Sequence, residues 1–141
     1  MSLTRTPNKK RKDQYRHKPI KTTVYGHNNV GIPEDAHVYD SLLEARMARL
    51  LIQYQIPFIP HVLYQVVSPD GKPFTYTIDF ILESGHHFAG IPGIINAIEV
   101  KGVLSKKDIR RIDALDYCHR LKSWIVTETH IKMWEHEGLY W

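Results

Sequence analysis

The stretch that most limits how this chain can fold runs from Thr75 to Gly102. It holds Thr-Tyr-Thr-Ile-Asp79-Phe and, after an intervening loop, Ile98-Glu99-Val100-Lys101-Gly102. Side chains of an extended strand alternate between faces, so residues two apart share a face at about 6–7 Å. Over 74–82 this alternation puts Phe74, Tyr76, Ile78, Phe80 and Leu82 on one face and Thr75, Thr77, Asp79 and Ile81 on the other. Over 94–101 it puts Ile94, Ile98 and Val100 on one face, with Glu99 and Lys101 together on the opposite one. Each strand therefore carries an acid away from its more apolar side.

Two carboxylates on neighbouring strands suit a hard cation such as Mg²⁺, which takes oxygen ligands and keeps several waters. Lys101, one step along from Glu99, is placed to orient or help deprotonate a bound water and to balance the charge of a phosphate under attack. Taken singly, each half also reads as half-exposed strand residues, with Lys101 the polar end of a strand entering a turn at Gly102. The combination, with a glutamate upstream, points to a metal site.

That glutamate lies in a helix expected to start at Asp40 or Ser41, where Leu42, Leu43, Ala45, Met47, Ala48, Leu50, Leu51 and Ile52 give an apolar surface at helical spacing. Ser41-Leu-Leu-Glu44 has the pattern of a capping box, in which Glu44 folds back onto the backbone of Ser41. The other reading turns Glu44 toward the sheet, where it reaches a metal or its water. After the helix, His61 to Val67 reads as a strand, and Ser68-Pro69-Asp70-Gly71-Lys72-Pro73 as the turn of an antiparallel hairpin leading into the Asp79 strand. Gln65 in this hairpin is either a water-positioning group or a solvated strand residue.

The order Glu44, Asp79, Glu99-Val100-Lys101 resembles the PD-(D/E)XK nuclease superfamily, whose core is a mixed sheet flanked by helices and whose members cut nucleic acids with divalent metal. Asp79 matches the first acid of that motif, Glu99 the second, Lys101 the lysine and Glu44 the glutamate of the first helix. Ile78 stands where many members have proline. The resemblance covers about positions 40 to 125. The short length, Thr-Tyr-Thr-x-Asp-Phe and Glu-Val-Lys-Gly look most like small phage junction-resolving endonucleases and the endonuclease subunits of some transposons. The resemblance implies an α/β fold with a restriction-endonuclease-like core and a Mg²⁺- or Mn²⁺-dependent endodeoxyribonuclease acting on branched DNA or in recombination or transposition. It also implies that Asp79, Glu99 and the backbone carbonyl of Val100 hold the metal. The exonuclease-type branch carries Gln-x-x-x-Tyr in the helix after the lysine; Asp113-x-x-x-Tyr117 has only the tyrosine, which argues against an end-processing exonuclease.

Between the two site-bearing strands, Glu83 to Gly93 reads as a flexible loop, and its His86-His87 pair as solvated. Ser105-Lys-Lys-Asp108 is a capping box opening a helix to about Leu121, with Ile109, Ile112, Leu115, Cys118 and Leu121 on its buried side. Lys106, Lys107, Arg110 and Arg111 crowd its first two turns, where the helix dipole disfavours cations by a few tenths of a kcal/mol each. A phosphate backbone accounts for them, as does an exposed basic face. Trp124-Ile-Val-Thr-Glu-Thr reads as a strand completing the sheet, and the aromatic-rich ending from Met133 to Trp141 as a segment that packs back on the core in preference to a dimer surface or a base-stacking platform.

The net charge of +4 is unevenly distributed. Residues 1–22 carry eight bases, among them Lys9, Lys10, Arg11 and Lys12, against Asp13 alone, a net of +7 that leaves −3 for the remainder. This N-terminal segment reads as a basic arm that releases counterions when it meets a polyanion, or as a solvated or localisation tail. Residues 23–141 are expected to form one domain. With Cys118 as the single cysteine, no disulfide framework or cysteine zinc site is available, and a reducing, cytoplasmic setting is expected. No apolar run approaches a membrane span. Cutting both strands of a duplex, or resolving a junction, calls for two active sites, and so for a homodimer or a partner subunit. The rival reading is a non-catalytic nucleic-acid-binding or assembly subunit on the same fold.

Overall fold

A computed structural model describes residues 20–141. Two short strands, β1 (Thr22–Val24) and β2 (His37–Tyr39), pair antiparallel around a 3₁₀ turn at His27–Val30. Helix α1 (Leu42–Gln53) follows, opened by Ser41, whose hydroxyl oxygen accepts the Glu44 N–H. The long hairpin is β3 (Phe58–Val67) and β4 (Pro73–His86), joined through Gly71 at φ 85°, a left-handed conformation that glycine adopts without steric cost. Strand β5 (Ile95–Val100) runs antiparallel to β4, and β6 (Ser123–Val126) lies parallel to β5. Helix α2 (Lys106–His119) makes the crossover between these last two strands, as a parallel pair requires. Helix α3 (Glu128–Glu137) closes the order. The described residues thus form a mixed α/β fold, with a four-stranded sheet in the order β3-β4-β5-β6, a separate two-stranded sheet and three helices. Among the described residues no helix is long and apolar enough to cross a membrane.

Two apolar clusters sit on the main sheet. One joins Phe58, Phe80, Leu82, Ile98 and Val100 to α1, to Trp134 of α3 and to Tyr39. The other joins Val66, Tyr76, Ile78 and Ala97 to Ile112, Ala114 and Leu115 of α2. Simple alternation puts Tyr76, Ile78, Phe80 and Leu82 on one face, yet the first two pack under α2 and the last two under α1. The strand exchanges faces at Asp79, and the cause lies in its ladder with β3: the rung between His61 and Asp79 is missing, and His61 has φ 56°.

Three further expectations are corrected. The loop expected at Glu83–Gly93 is shorter, because β4 continues to His86 and pairs it with Ile95 past a register shift. Gly85 allows this: a Cβ there would lie 2.4 Å from Ile94 Cγ2. On α2, Ile109 and Cys118 are exposed, and the buried side is Ile112, Ala114 and Leu115. The strand expected through Thr129 ends at Val126, since Thr127 caps α3, accepting a bond from the first turn while His130 Nδ1 accepts the Thr127 N–H. A histidine in place of glutamate or glutamine hides this capping box in the sequence.

Helix α3 is tied down at two points. Arg46 of α1 forks onto Glu135 at 3.0 and 2.6 Å and reaches Glu128 at 3.3 Å. The Trp134 indole, 1% exposed, donates its N–H to the Ala89 carbonyl at 2.8 Å and meets the Phe88 ring edge-on. Loss of a buried aromatic side chain costs about 3–5 kcal/mol. Trp134→Ala is therefore expected to lower unfolding free energy by that amount, read as a drop in the urea midpoint at unchanged slope.

Candidate functional site

The site lies where both ladders of β4 break. Toward β5 the regular pairing reaches Phe80↔Ile98 and goes no further along β4 toward its start. Side chains take over the next bonds: the Val100 N–H donates to Asp79 Oδ2 at 2.8 Å, and the Asp79 N–H donates to Glu99 Oε1 at 3.1 Å. Each acid thus accepts a main-chain donor from the opposite strand. The two carboxylates are held in the gap by the backbone itself.

Glu99 is 5% exposed. Its second oxygen accepts the Tyr76 hydroxyl at 2.8 Å and lies 3.4 Å from Lys101 Nζ. Lys101 also reaches Asp108 Oδ1 at 3.6 Å. Asp108 is the acid of the α2 capping box with Ser105, so the cap of the helix and the lysine of the site share one carboxylate.

Glu44 is buried and does not spend its carboxylate on the Ser41 backbone. Ser41 donates its hydroxyl to Glu44 Oε2 at 3.1 Å, and His61 Nε2 stands 3.0 Å from Oε1. The other nitrogen of His61 contacts His37 Nε2 at 3.0 Å. One donor atom each from Glu44, His61 and Asp79 lies within 4.8 Å of the others.

These groups pull one another's protons in opposite directions. Burial, then the charges of Glu99 and Glu44, raise Asp79 well above the ordinary carboxylate range, against the weaker effect of the Val100 N–H. Burial works to raise Glu44 as well, but the hydrogen bonds from His61 and Ser41 outweigh it and hold Glu44 below that range. His61 is raised by its bond to Glu44, against burial. His37 is lowered by burial and by His61. Burial alone would lower Lys101, yet Glu99 and Asp108 together raise it, and it stays an ammonium at neutral pH.

The structure brings Glu44, Asp79, Glu99 and Lys101 to this gap, with Val100 bonded directly to Asp79. Lys106, Lys107 and Arg110 are exposed on the first turns of α2, beside the Lys101–Asp108 pair. Arg111 turns inward: it donates to the Thr75 carbonyl at 3.2 Å and lies over the Phe74 and Tyr76 rings at 5.1 and 5.2 Å, so it ties α2 to the hairpin. Lys9, Lys10, Arg11 and Lys12 lie outside the described residues. Gln65 is exposed opposite Thr75, away from the gap. His86 and His87 bond to Tyr140 and to the Ile91 carbonyl.

Two residues of the site escape a reading of the sequence. Tyr76 alternates onto the apolar face of β4 and reaches Glu99 only because the strand exchanges faces at Asp79. His61 reaches Glu44 only through its left-handed backbone, which no spacing rule foretells. Comparison of the chain with protein-family models, with curated proteins and with solved structures found no match.

A raised carboxylate stabilises the fold in its neutral form, and that contribution is lost as pH rises through its folded pKa. An asparagine in place of Asp79 would remain neutral and could still offer its carbonyl oxygen to the Val100 N–H. In metal-free buffer, Asp79→Asn is expected to melt higher than wild type at pH 7, with the difference vanishing toward pH 3, where Asp79 is protonated in both folded and unfolded chains. Paired thermal melts across this range check the sign.

Proposed function

We propose that this protein hydrolyses phosphodiester bonds of DNA in a divalent-cation-dependent reaction, as an endonuclease with a restriction-endonuclease-like core. The observation that carries the reading is the exchange of main-chain bonds between Asp79 and Glu99, which holds two carboxylates beside Lys101 in a break of the sheet. Such a donor set fits a hard cation: Asp79, Glu99 and the Val100 carbonyl are oxygen ligands, and burial of the acids favours any partner that offsets their charge. Mg²⁺ or Mn²⁺ held there supplies Lewis-acid stabilisation of the phosphate and lowers the pKa of water.

The remaining roles belong to side chains. Lys101 is an ammonium, so it acts as a hydrogen-bond donor to the attacking water and as a counter-charge to the phosphate, not as a base. Glu99 and Asp108 hold its Nζ in place. Tyr76 keeps Glu99 turned into the gap. The oxygen of a water bonds to phosphorus while the water gives up one proton to bulk solvent, the P–O bond to the leaving strand breaks, and the leaving oxygen takes a proton from bulk solvent. Lys106, Lys107 and Arg110 grip the backbone on either side of the scissile bond, at a helix start that itself favours anions. The segment 1–22 adds positive charge that the body of the chain lacks. Cutting of both strands requires a second copy of the chain or a partner subunit.

The test is cleavage of a panel, comprising linear duplex, supercoiled plasmid, single strand, flap and four-way junction, in Mg²⁺, Mn²⁺ and chelator. Wild type is expected to cut in metal and not in chelator. Glu99→Gln and Lys101→Ala are expected to slow cutting by about 10²–10⁴-fold while leaving binding intact. Tight binding without cutting of any member would instead favour a non-catalytic nucleic-acid-binding or assembly subunit. Replacing Lys106, Lys107 and Arg110 with glutamine is expected to weaken binding of every sequence alike. It should also flatten the slope of log affinity against log salt by about 0.9 for each phosphate that is no longer neutralised.

A further inference from the structure

The Asp79 carboxylate has neighbours on two sides. Toward β5 it meets Glu99. Toward β3 and α1 it meets Glu44 and His61, and these three offer one donor atom each within 4.8 Å. A cation bonded at about 2.0–2.2 Å holds opposite donors about 4.4 Å apart and adjacent ones at roughly 3.0–3.6 Å, so the three side chains have to draw together to share one ion.

We infer that Glu44, His61 and Asp79 form a cation site selective for a divalent first-row transition ion over Mg²⁺. The inference rests on the proposed nuclease reading only for Asp79 as a ligand, and adds two donors to it.

Three observations carry it. The first is donor chemistry: a set of two carboxylates and one imidazole suits Mn²⁺, Fe²⁺ or Zn²⁺, whereas Mg²⁺ prefers oxygen alone. The second is the orientation of the ring. Metal-binding histidines donate their other ring N–H to a fixed acceptor, and His61 Nδ1 is held at 3.0 Å by His37 Nε2, leaving Nε2 on the side of Glu44. His37 is itself packed between the rings of His27, Tyr39 and His61. The third is placement: His61 occupies the unformed rung opposite Asp79, so its ring shares the gap with the acid. Glu99 stands apart from this set, with its oxygens engaged by Tyr76, Lys101 and the Asp79 N–H.

The experiment loads the full chain with Mn²⁺ alone and records electron spin-echo modulation, which detects a directly bonded imidazole nitrogen. Wild type is expected to show nitrogen coupling, with the pattern changed by ¹⁵N-histidine labelling. The matched variant is His61→Asn, because asparagine tolerates the left-handed backbone at φ 56°. It is expected to lose the coupling. Removing even an outer partner of a metal site costs roughly 10–100-fold in affinity. The variant is therefore expected to bind Mn²⁺ weaker by about tenfold or more, with Mg²⁺ affinity less affected. Absence of Mn²⁺ binding, binding without nitrogen coupling, or coupling that survives in the variant overturns the assignment. The labelled wild type gives the answer even if the variant fails to fold. Nitrogen coupling in a protein that cuts no nucleic acid upholds the site and removes the nuclease reading. Cutting in Mg²⁺ with no nitrogen coupling in Mn²⁺ does the reverse.

Discussion

Asp79 and Glu99 each accept a main-chain N–H from the strand that bears the other, and the arrangement of the sheet centre follows from that exchange. A ladder that continued past Phe80↔Ile98 would make Asp79 and Glu99 direct cross-strand partners, with carbonyls taking up the seam's main-chain donors and both acids turned out of the seam onto one face of the sheet. Here the carboxylates replace the carbonyls, so the strands part and the acids remain between them. Buried main-chain donors are rarely left without a partner. The break in the ladder therefore persists only because the two acids fill it, and the acids are oriented because the break requires them.

Charge explains the rest of the surroundings. Glu44, Asp79 and Glu99 converge in a region of low exposure, where like charges cannot all be held without compensation. Glu44 is compensated by Ser41 and His61, and Glu99 by Tyr76 and Lys101. Asp79 gains the Val100 N–H and the charge of Lys101, but burial and the two neighbouring acids outweigh them and its proton affinity rises. A cation beside Asp79 would offset the neighbouring negative charges that raise it. Lys101 is positioned from outside the sheet by Asp108, so that the α2 cap, the lysine and Glu99 form one connected set.

Much of this is legible in the residues. Alternation and turn chemistry identify the hairpin, the helix after Ser41 follows from its apolar spacing, and the two acids and the lysine stand out by polarity on otherwise apolar strands. The mixed α/β class follows from that element order. What alternation cannot express is a strand that changes faces: it assumes every residue extended, and His61 is not. For that reason it puts Tyr76 on the wrong side of Asp79 and gives His61 no role. Helix α3 escapes for a different reason, since its capping partner is a histidine and its buried contacts, Ile131 and Trp134, are too few to set a period. Arg111 looks like its basic neighbours on the sequence, and only the rings of Phe74 and Tyr76 separate it from them.

The central claim is that the gap at Asp79 is held ready for a cation. The most direct measurement is the thermal midpoint of wild type and Asp79→Asn at pH 7, each with chelator and with saturating Mn²⁺. A ligand that binds only the folded state raises its stability with concentration. The account predicts that wild type melts below the variant in chelator and above it in Mn²⁺, so that the order inverts. An equal response of the two proteins to Mn²⁺, or none in wild type, would contradict it.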